Sequence, residues 1–276
     1  MLPAPFMPKT MLERVLVPLD GSSQAETLLP LLGPLLGPSG SEVFFVRALP
    51  PAQPPGTAPF EEADGYVRAI ADRFQKDGLC AHALVSVGAP HQVIESLACE
   101  EEITLVVMPA QADAAPGPVL ERLLRETRRP LVALRPATGL RAGNSERSIL
   151  VPLDGSEASR RSLPLAAPLA QALRARVILL RVLAPPSERL EALGDLREIA
   201  GHLGRQGVAA EVWIESGDPA ERILQAASDP GVLLVAISTQ GHSGGAQRLL
   251  GDVTRQVLSR SPIPVLAVHV REGLPV

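Results

Sequence analysis

Fifteen residues, STQGHSGGAQRLLGD from Ser238 to Asp252, hold four of the chain's 23 glycines. The apolar run Val232–Ile237 comes before them and a helical pattern follows. Glycines in a strand-to-helix turn leave backbone N–H groups uncovered by any Cβ. The helix N-terminus adds partial positive charge, so such a turn suits a phosphate. Gly251 opens a helix reaching roughly to Arg260. Asp252 breaks the pattern, because it puts a carboxylate where a phosphate wants none. The segment is not a Walker loop, since no GxxxxGK[ST] occurs and the second half of the chain has no lysine. Positive charge near it must come from Arg248, Arg255, Arg181 or His242. His242 itself reads as either a solvent-facing loop residue or a phosphate contact.

A second candidate is Pro152-Leu153-Asp154-Gly155-Ser156, again where an apolar run gives way to a helix. Asp154 can accept a ribose hydroxyl or cap the helix starting at Ser156. Other chemistries lack their residues. The five histidines are scattered, with no HExxH or Cys/His metal spacing. Trp213 and Tyr66 read as packing residues.

These candidates belong to a chain written twice. Val15-Leu16-Val17-Pro18-Leu19-Asp20-Gly21-Ser22 recurs as Ile149-Leu150-Val151-Pro152-Leu153-Asp154-Gly155-Ser156, at an offset of 134. Arg47 faces Arg181 at the same offset. The offset falls to 129 where Gly88-Ala89-Pro90 matches Gly217-Asp218-Pro219, and returns to 134 where Pro130–Leu134 matches Pro264–Val268. The second copy is thus five residues shorter in its middle and five longer in the glycine loop. We read two domains, residues 1–137 and 145–276, joined by a linker near Ala137–Arg147.

Each copy alternates short apolar runs with helical patterns. In the second, the runs are Ser148–Pro152, Val177–Val182, Val208–Ile214, Val232–Ile237 and Val265–Val270. Their near-continuous apolar character suits parallel strands covered on both faces. A helix from Ser156 places Leu163, Ala166, Ala170 and Leu173 on one stripe, with Pro164 and Pro168 bending it. Another starts at Pro219. The alternation predicts an α/β chain of two repeated doubly wound domains, with ligands beyond the carboxyl ends of the strands. If the first and fourth strands are neighbours, Asp154 and the glycine loop share one crevice. The segment Leu49–Phe60 (LPPAQPPGTAPF) reads as a stiff surface connector.

Composition narrows the function classes. A net charge of -4 and 3 % aromatic residues argue against nucleic-acid binding. No apolar run reaches the ~18 residues of a membrane span. The opening MLPAPFMPKT, with three prolines and no basic stretch, does not read as a signal peptide. Cys80 and Cys99 read as buried, reduced thiols, and the protein as cytoplasmic.

The combination of VPLDGS after a first strand, GDPAERIL before the fourth, and STxGxxGG…LLG…PVLAV at the end resembles the universal stress protein family. The resemblance covers nearly the whole chain as a tandem form. It implies a five-stranded parallel sheet of order 3-2-1-4-5 in each domain, and ATP bound in those members that take nucleotide. The family's loop, G-x2-G-x9-G-[ST], stands here as Ser238-x2-Gly241-x9-Gly251-Asp252. By position, Asp154 would meet ribose or phosphates, and Leu153 and Leu183 would line the adenine. Gly241, Gly251, Val253 and Thr254 would meet phosphates. Pro152, Val182, Ile237, Ser238, His242, Gly244, Arg248 and Asp252 complete the candidate contact set for ATP, with Mg2+ as its companion ion.

Asp252 tests that implication. A unit charge about 4 Å from a phosphate oxygen costs roughly 4 kcal/mol at an effective dielectric near 20, about a thousandfold in affinity. Arg248 or Arg255 would reduce this, and a bridging Mg2+ would reverse its sign. If Asp252 caps its helix, its carboxylate occupies the amides a phosphate needs. In the first copy the loop Pro109–Pro118 is shorter, and Pro116 and Pro118 have no N–H to give. That copy is expected to bind no nucleotide. Three functions follow: a regulatory, non-catalytic protein binding an adenine nucleotide in its second domain, an interaction scaffold that binds none, and a slow ATPase, for which no base is evident. The final strands, Pro130–Arg135 and Pro264–Val270, are expected to meet within one chain as a pseudo-dimer. The resemblance also allows a homodimer and names no protein partner.

Overall fold

The structure, a computed structural model, describes residues 12–36, 40–109, 117–127, 129–135, 147–183, 189–240 and 250–269. The first half runs β1 (Arg14–Pro18), α1 (Ser23–Glu26), α2 (Leu29–Leu36), β2 (Glu42–Leu49), α3 (Ala58–Lys76), β3 (Cys80–Val87), α4 (Pro90–Glu100), β4 (Leu105–Pro109), α5 (Pro118–Glu126) and β5 (Leu131–Arg135). The second runs β6 (Ser148–Pro152), α6 (Glu157–Arg160), α7 (Leu163–Leu173), β7 (Arg176–Leu183), α8 (Arg189–Arg205), β8 (Ala210–Ser216), α9 (Pro219–Ala227), β9 (Val232–Ser238), α10 (Asp252–Arg260) and β10 (Val265–His269).

All ten strands form one sheet, ordered β3-β2-β1-β4-β5-β10-β9-β6-β7-β8. Each half is parallel, in the order 3-2-1-4-5. The halves join at β5 and β10, which pair antiparallel with Ala133 opposite Ala267. Those two residues are equivalents at the offset of 134, so a pseudo-two-fold axis passes between them. The first strand neighbours the fourth in each half, β1 beside β4 and β6 beside β9.

The sequence explains this arrangement through burial. Every residue of β6, β9 and β10 is buried, as parallel strands covered on both faces must be. The edge strands β3 and β8 are mostly half-exposed. One apolar layer, with α2, α3, α7 and α8, covers one face, and a second, with α4, α5, α9 and α10, covers the other. Both layers draw on both halves. α3 shows how a helix earns its place: Ala63, Val67, Ala71 and Phe74 form its buried stripe, and Phe74 tilts against Phe45 of β2.

Four expectations change. The helix expected from Ser156 to Leu173 is two helices, because α6 ends at Arg160 and α7 begins at Leu163. Pro164 has no N–H to continue the ladder from α6 and instead sits in the first turn of α7, where none is needed. Pro168 is accommodated within α7. The strand expected at Val208–Ile214 runs from Ala210 to Ser216, with Val208 buried in the turn after α8. Cys80 and Cys99, expected to be buried, are both exposed: Cys80 opens an edge strand and Cys99 lies at the end of α4. Of the proline-rich connector, Ala58–Phe60 already belongs to α3, and most of the preceding turn residues are exposed. Among the described residues, no helix is long and apolar enough to cross a membrane.

Candidate functional site

Asp154 follows the end of β6, beside β9. Its Oδ1 accepts hydrogen bonds from the Ser156 N–H, at 2.9 Å, and from Ser156 Oγ, at 2.6 Å. Ser156 is the N-cap of α6, its Oγ accepting from the Ser159 N–H at 3.0 Å. Asp154 therefore holds the cap residue rather than capping the helix itself. Gly155 between them has φ +95°, a conformation that favours glycine.

Beneath this turn lies Arg181 of β7, buried to 8 % exposure. Its Nε donates to the Leu153 carbonyl and its Nη2 to Asp195 Oδ2 of α8, at 2.8 Å. Arg160 of α6 also pairs with Asp195. One carboxylate thus binds two guanidinium groups and fixes the turn that carries Asp154.

The second wall comes from the end of β9 and the start of α10. The Gly251 N–H donates to the Thr239 carbonyl at 2.8 Å, and Thr254 Oγ1 donates to the Ser238 carbonyl at 2.8 Å. The Thr239 N–H reaches the Val268 carbonyl on β10 at 2.9 Å, and its Oγ1 lies 3.0 Å from His269 Nδ1. The start of α10 is thus tied to the strands at the centre of the sheet.

Asp252 does not cap α10. Gly251 is the N-cap, with extended backbone, and Asp252 is the first helical residue. Its side chain is 54 % exposed and lies 3.9 Å from Arg255 Nη1, one turn along. A carboxylate in the first turn still opposes the helix dipole's attraction for anions.

Between these walls is a cavity of about 230 Å3. Pro152, Leu153, Asp154 and Ser159 line it from the first turn, and Leu180 and Val182 from β7. Pro219 and Ile223 reach it from α9, and Ile237, Ser238, Gln240, Gly251, Val253 and Thr254 from the β9 side. Of the expected contact residues, Asp252 is not in this lining, and neither is Leu183. Alternation along β7 explains Leu183: it shares a face with Arg181, while Leu180 and Val182 face the cavity. Arg181 and Arg255, named as sources of positive charge, are paired with Asp195 and Asp252. Gly241, His242, Gly244 and Arg248 lie outside the described residues. Leu180, Ser159, Pro219, Ile223 and Gln240 line the cavity without having been expected. Pro219 and Ile223 come from α9, whose amphipathic pattern and Asp218 cap are legible, but not its approach to β7.

Comparison with known proteins agrees with this architecture. The model of the Universal stress protein family matches residues 11–135 and again 146–269. The chain belongs to the universal stress protein family. It is similar to universal stress protein YxiE of Bacillus subtilis, 29 % identical over 144 residues, 44 % of this chain and 97 % of that protein. It is also similar to the universal stress protein in the QAH/OAS sulfhydrylase 3' region of Thermus aquaticus, 30 % identical over 135 residues, 45 % of this chain and 98 % of that protein. The crystal structure of a universal stress protein from Archaeoglobus fulgidus shares the fold. It has a TM-score of 0.72 and 21 % identity, and covers 92 % of this chain and 97 % of its own.

Within this universal stress fold the first half has diverged at the matching places. Asp20 repeats Asp154, accepting from the Ser22 N–H at 2.9 Å and Ser22 Oγ at 2.5 Å. Burial raises the Asp20 pKa, but these bonds and Arg47 outweigh it, so the net shift is downward. Arg47 stands for Arg181, Tyr66 for Asp195 and Glu26 for Arg160. Burial and the Glu26 carboxylate push the Tyr66 phenol up. Arg47 Nη1 is buried with no hydrogen-bond partner among the described residues. At the other wall, Gly117 and Pro118 open α5, and buried Leu120 stands where the second half has Thr254.

Proposed function

We propose that this chain is a cytoplasmic regulatory protein whose second half binds ATP or another adenine nucleotide, without catalysing a reaction on it. One observation carries the reading: the cavity at the carboxyl ends of β6 and β9, bounded by the Asp154 turn and the Gly251 start of α10. Ligands of doubly wound sheets bind at that place. The mostly apolar lining suits a base, and the Asp154 carboxylate suits ribose hydroxyls as an acceptor. Gly251 has an ordinary φ, and a Cβ there would meet only van der Waals contacts. The described fold does not demand glycine at that position, so close approach of a ligand is a reason for it.

The nucleoside part of ATP fits these residues. The polyphosphate does not, because Asp252 stands at the helix start that would receive it. The first half has lost the site, with the Pro118 nitrogen carrying no hydrogen and Leu120 in place of Thr254. The non-catalytic reading is supported by the lining, where Asp154 is the one acid–base side chain among the described residues. Two unpaired cysteines suit a reducing compartment.

The test is calorimetric titration of the whole chain with adenine compounds. Asp154→Ala should weaken binding about tenfold or more, the loss of one charge-assisted hydrogen bond, and Asp20→Ala should leave it unchanged. The reverse pattern would place the site in the first half. A scaffold that binds no nucleotide is the second reading, favoured by Asp252. Absence of binding of adenosine, AMP and ATP alike by the wild type would put that reading first.

A further inference from the structure

We infer that the second half selects the nucleoside end of a nucleotide: its ligand is an adenine nucleoside carrying at most one phosphate, and the site discriminates against the triphosphate. This rests on the nucleotide reading above and narrows the ligand of the same cavity.

Charge is the first ground. Among the described lining residues the one ionisable side chain is a carboxylate, Asp154. The adjoining cations are committed elsewhere. Arg181 binds Asp195 and the Leu153 carbonyl, on the face of β7 turned away from Leu180 and Val182. Arg160 binds the same Asp195. Arg255 lies beside Asp252. A polyphosphate would therefore enter between two carboxylates, Asp154 and Asp252, with the described arginines already engaged.

The start of α10 is the second ground. A bare helix N-terminus carries roughly half a positive charge, and this attracts phosphate. Asp252 places a carboxylate on the first helical residue, beside Arg255. The attraction of the helix start for anions is thereby opposed where a chain of phosphates would lie. A hydroxyl-bearing ribose meets no such penalty, because a carboxylate accepts hydrogen bonds from hydroxyls.

Size is the third ground. The cavity of about 230 Å3 lies below the roughly 300–1,000 Å3 usual for small-molecule sites. A base and a sugar fill it, so further phosphates would lie outside its lining.

The experiment titrates adenosine, AMP and ATP, each with and without Mg2+, into the whole chain and into Asp252→Asn. The wild type should bind adenosine and AMP at least about tenfold more tightly than ATP, a discrimination reduced from the full Coulomb value by the exposure of Asp252. Asp252→Asn should strengthen ATP binding by about tenfold and leave adenosine unchanged. The adenosine affinity doubles as the folding control for the variant. ATP binding the wild type as tightly as adenosine, with or without Mg2+, would overturn the inference and leave the nucleotide reading standing. A preference for adenosine that Asp252→Asn does not narrow would overturn the role given to Asp252. No binding by any of the three would overturn the nucleotide reading and this inference with it.

Discussion

Arg181 packs so closely under Gly155 that a Cβ on the glycine would sit 2.9 Å from its Nη1; Arg47 and Gly21 stand in the same relation, at 2.8 Å. In both halves a strand arginine therefore forms the floor of the turn that presents an aspartate. Gly155→Ala adds both a contact and an unfavourable positive φ. The expected loss of stability is about 1–3 kcal/mol, checked by denaturant unfolding.

Asp195 neutralises a guanidinium that has almost no access to water. Asp195→Ala should cost about 3 kcal/mol, the lower end for breaking a buried pair, because Asp195 itself is partly exposed. A variant losing both charges, Arg181→Met with Asp195→Leu, should recover most of that loss in the same unfolding measurement.

Thr254 Oγ1 donates a hydrogen bond to the Ser238 carbonyl inside the protein. Thr254→Val should lower stability by about 1 kcal/mol. It keeps the shape of the cavity wall, so the loss should come without a change in the helix content seen by circular dichroism.

The lowered pKa of Asp20 fixes a sign for pH dependence. A carboxylate with a depressed pKa in the folded state stabilises the fold at pH above its unfolded value, near 4. That contribution is lost as pH falls through the folded pKa. The stability gap between wild type and Asp20→Asn should therefore be constant from about pH 5 upward and shrink below about pH 4. Chemical unfolding at stepped pH measures it.

A polypeptide of residues 145–276 alone would leave β10 as an exposed edge, since its partner β5 belongs to the other half. An unpaired edge strand recruits another. This polypeptide should associate into a dimer through β10, and sedimentation velocity should show twice the monomer mass. A monomer would mean that β10 can stand uncovered.

Much of this architecture was legible because it was written twice. The VPLDGS repeat located both first strands, and fully apolar runs such as VLLVAI located strands buried on both faces. The reading failed where one residue's backbone decides the outcome. On paper Asp252 is the natural cap, and only the backbone shows that Gly251 holds the extended conformation instead. It failed again where distant elements meet. An arginine within an otherwise apolar strand, at the same place in both halves, was the visible sign of the Arg181 floor. The partner Asp195 was not visible, because it lies on a helix stripe whose facing depends on how α8 packs. The same holds for Ile223, whose place in the cavity follows from the approach of α9 to β7.

The antiparallel junction of β5 with β10 has a consequence for stoichiometry. In an assembly of two identical chains, every substitution appears on both sides of the axis. Here the axis runs between Ala133 and Ala267 of one polypeptide, so each side mutates independently. Tyr66 can stand on one side where Asp195 stands on the other, and the two loops can differ in length. If the cavity of the second half is the ligand site, saturation comes at one molecule per chain. The titration curve is then a simple hyperbola, with no second equivalent site to make it sigmoidal.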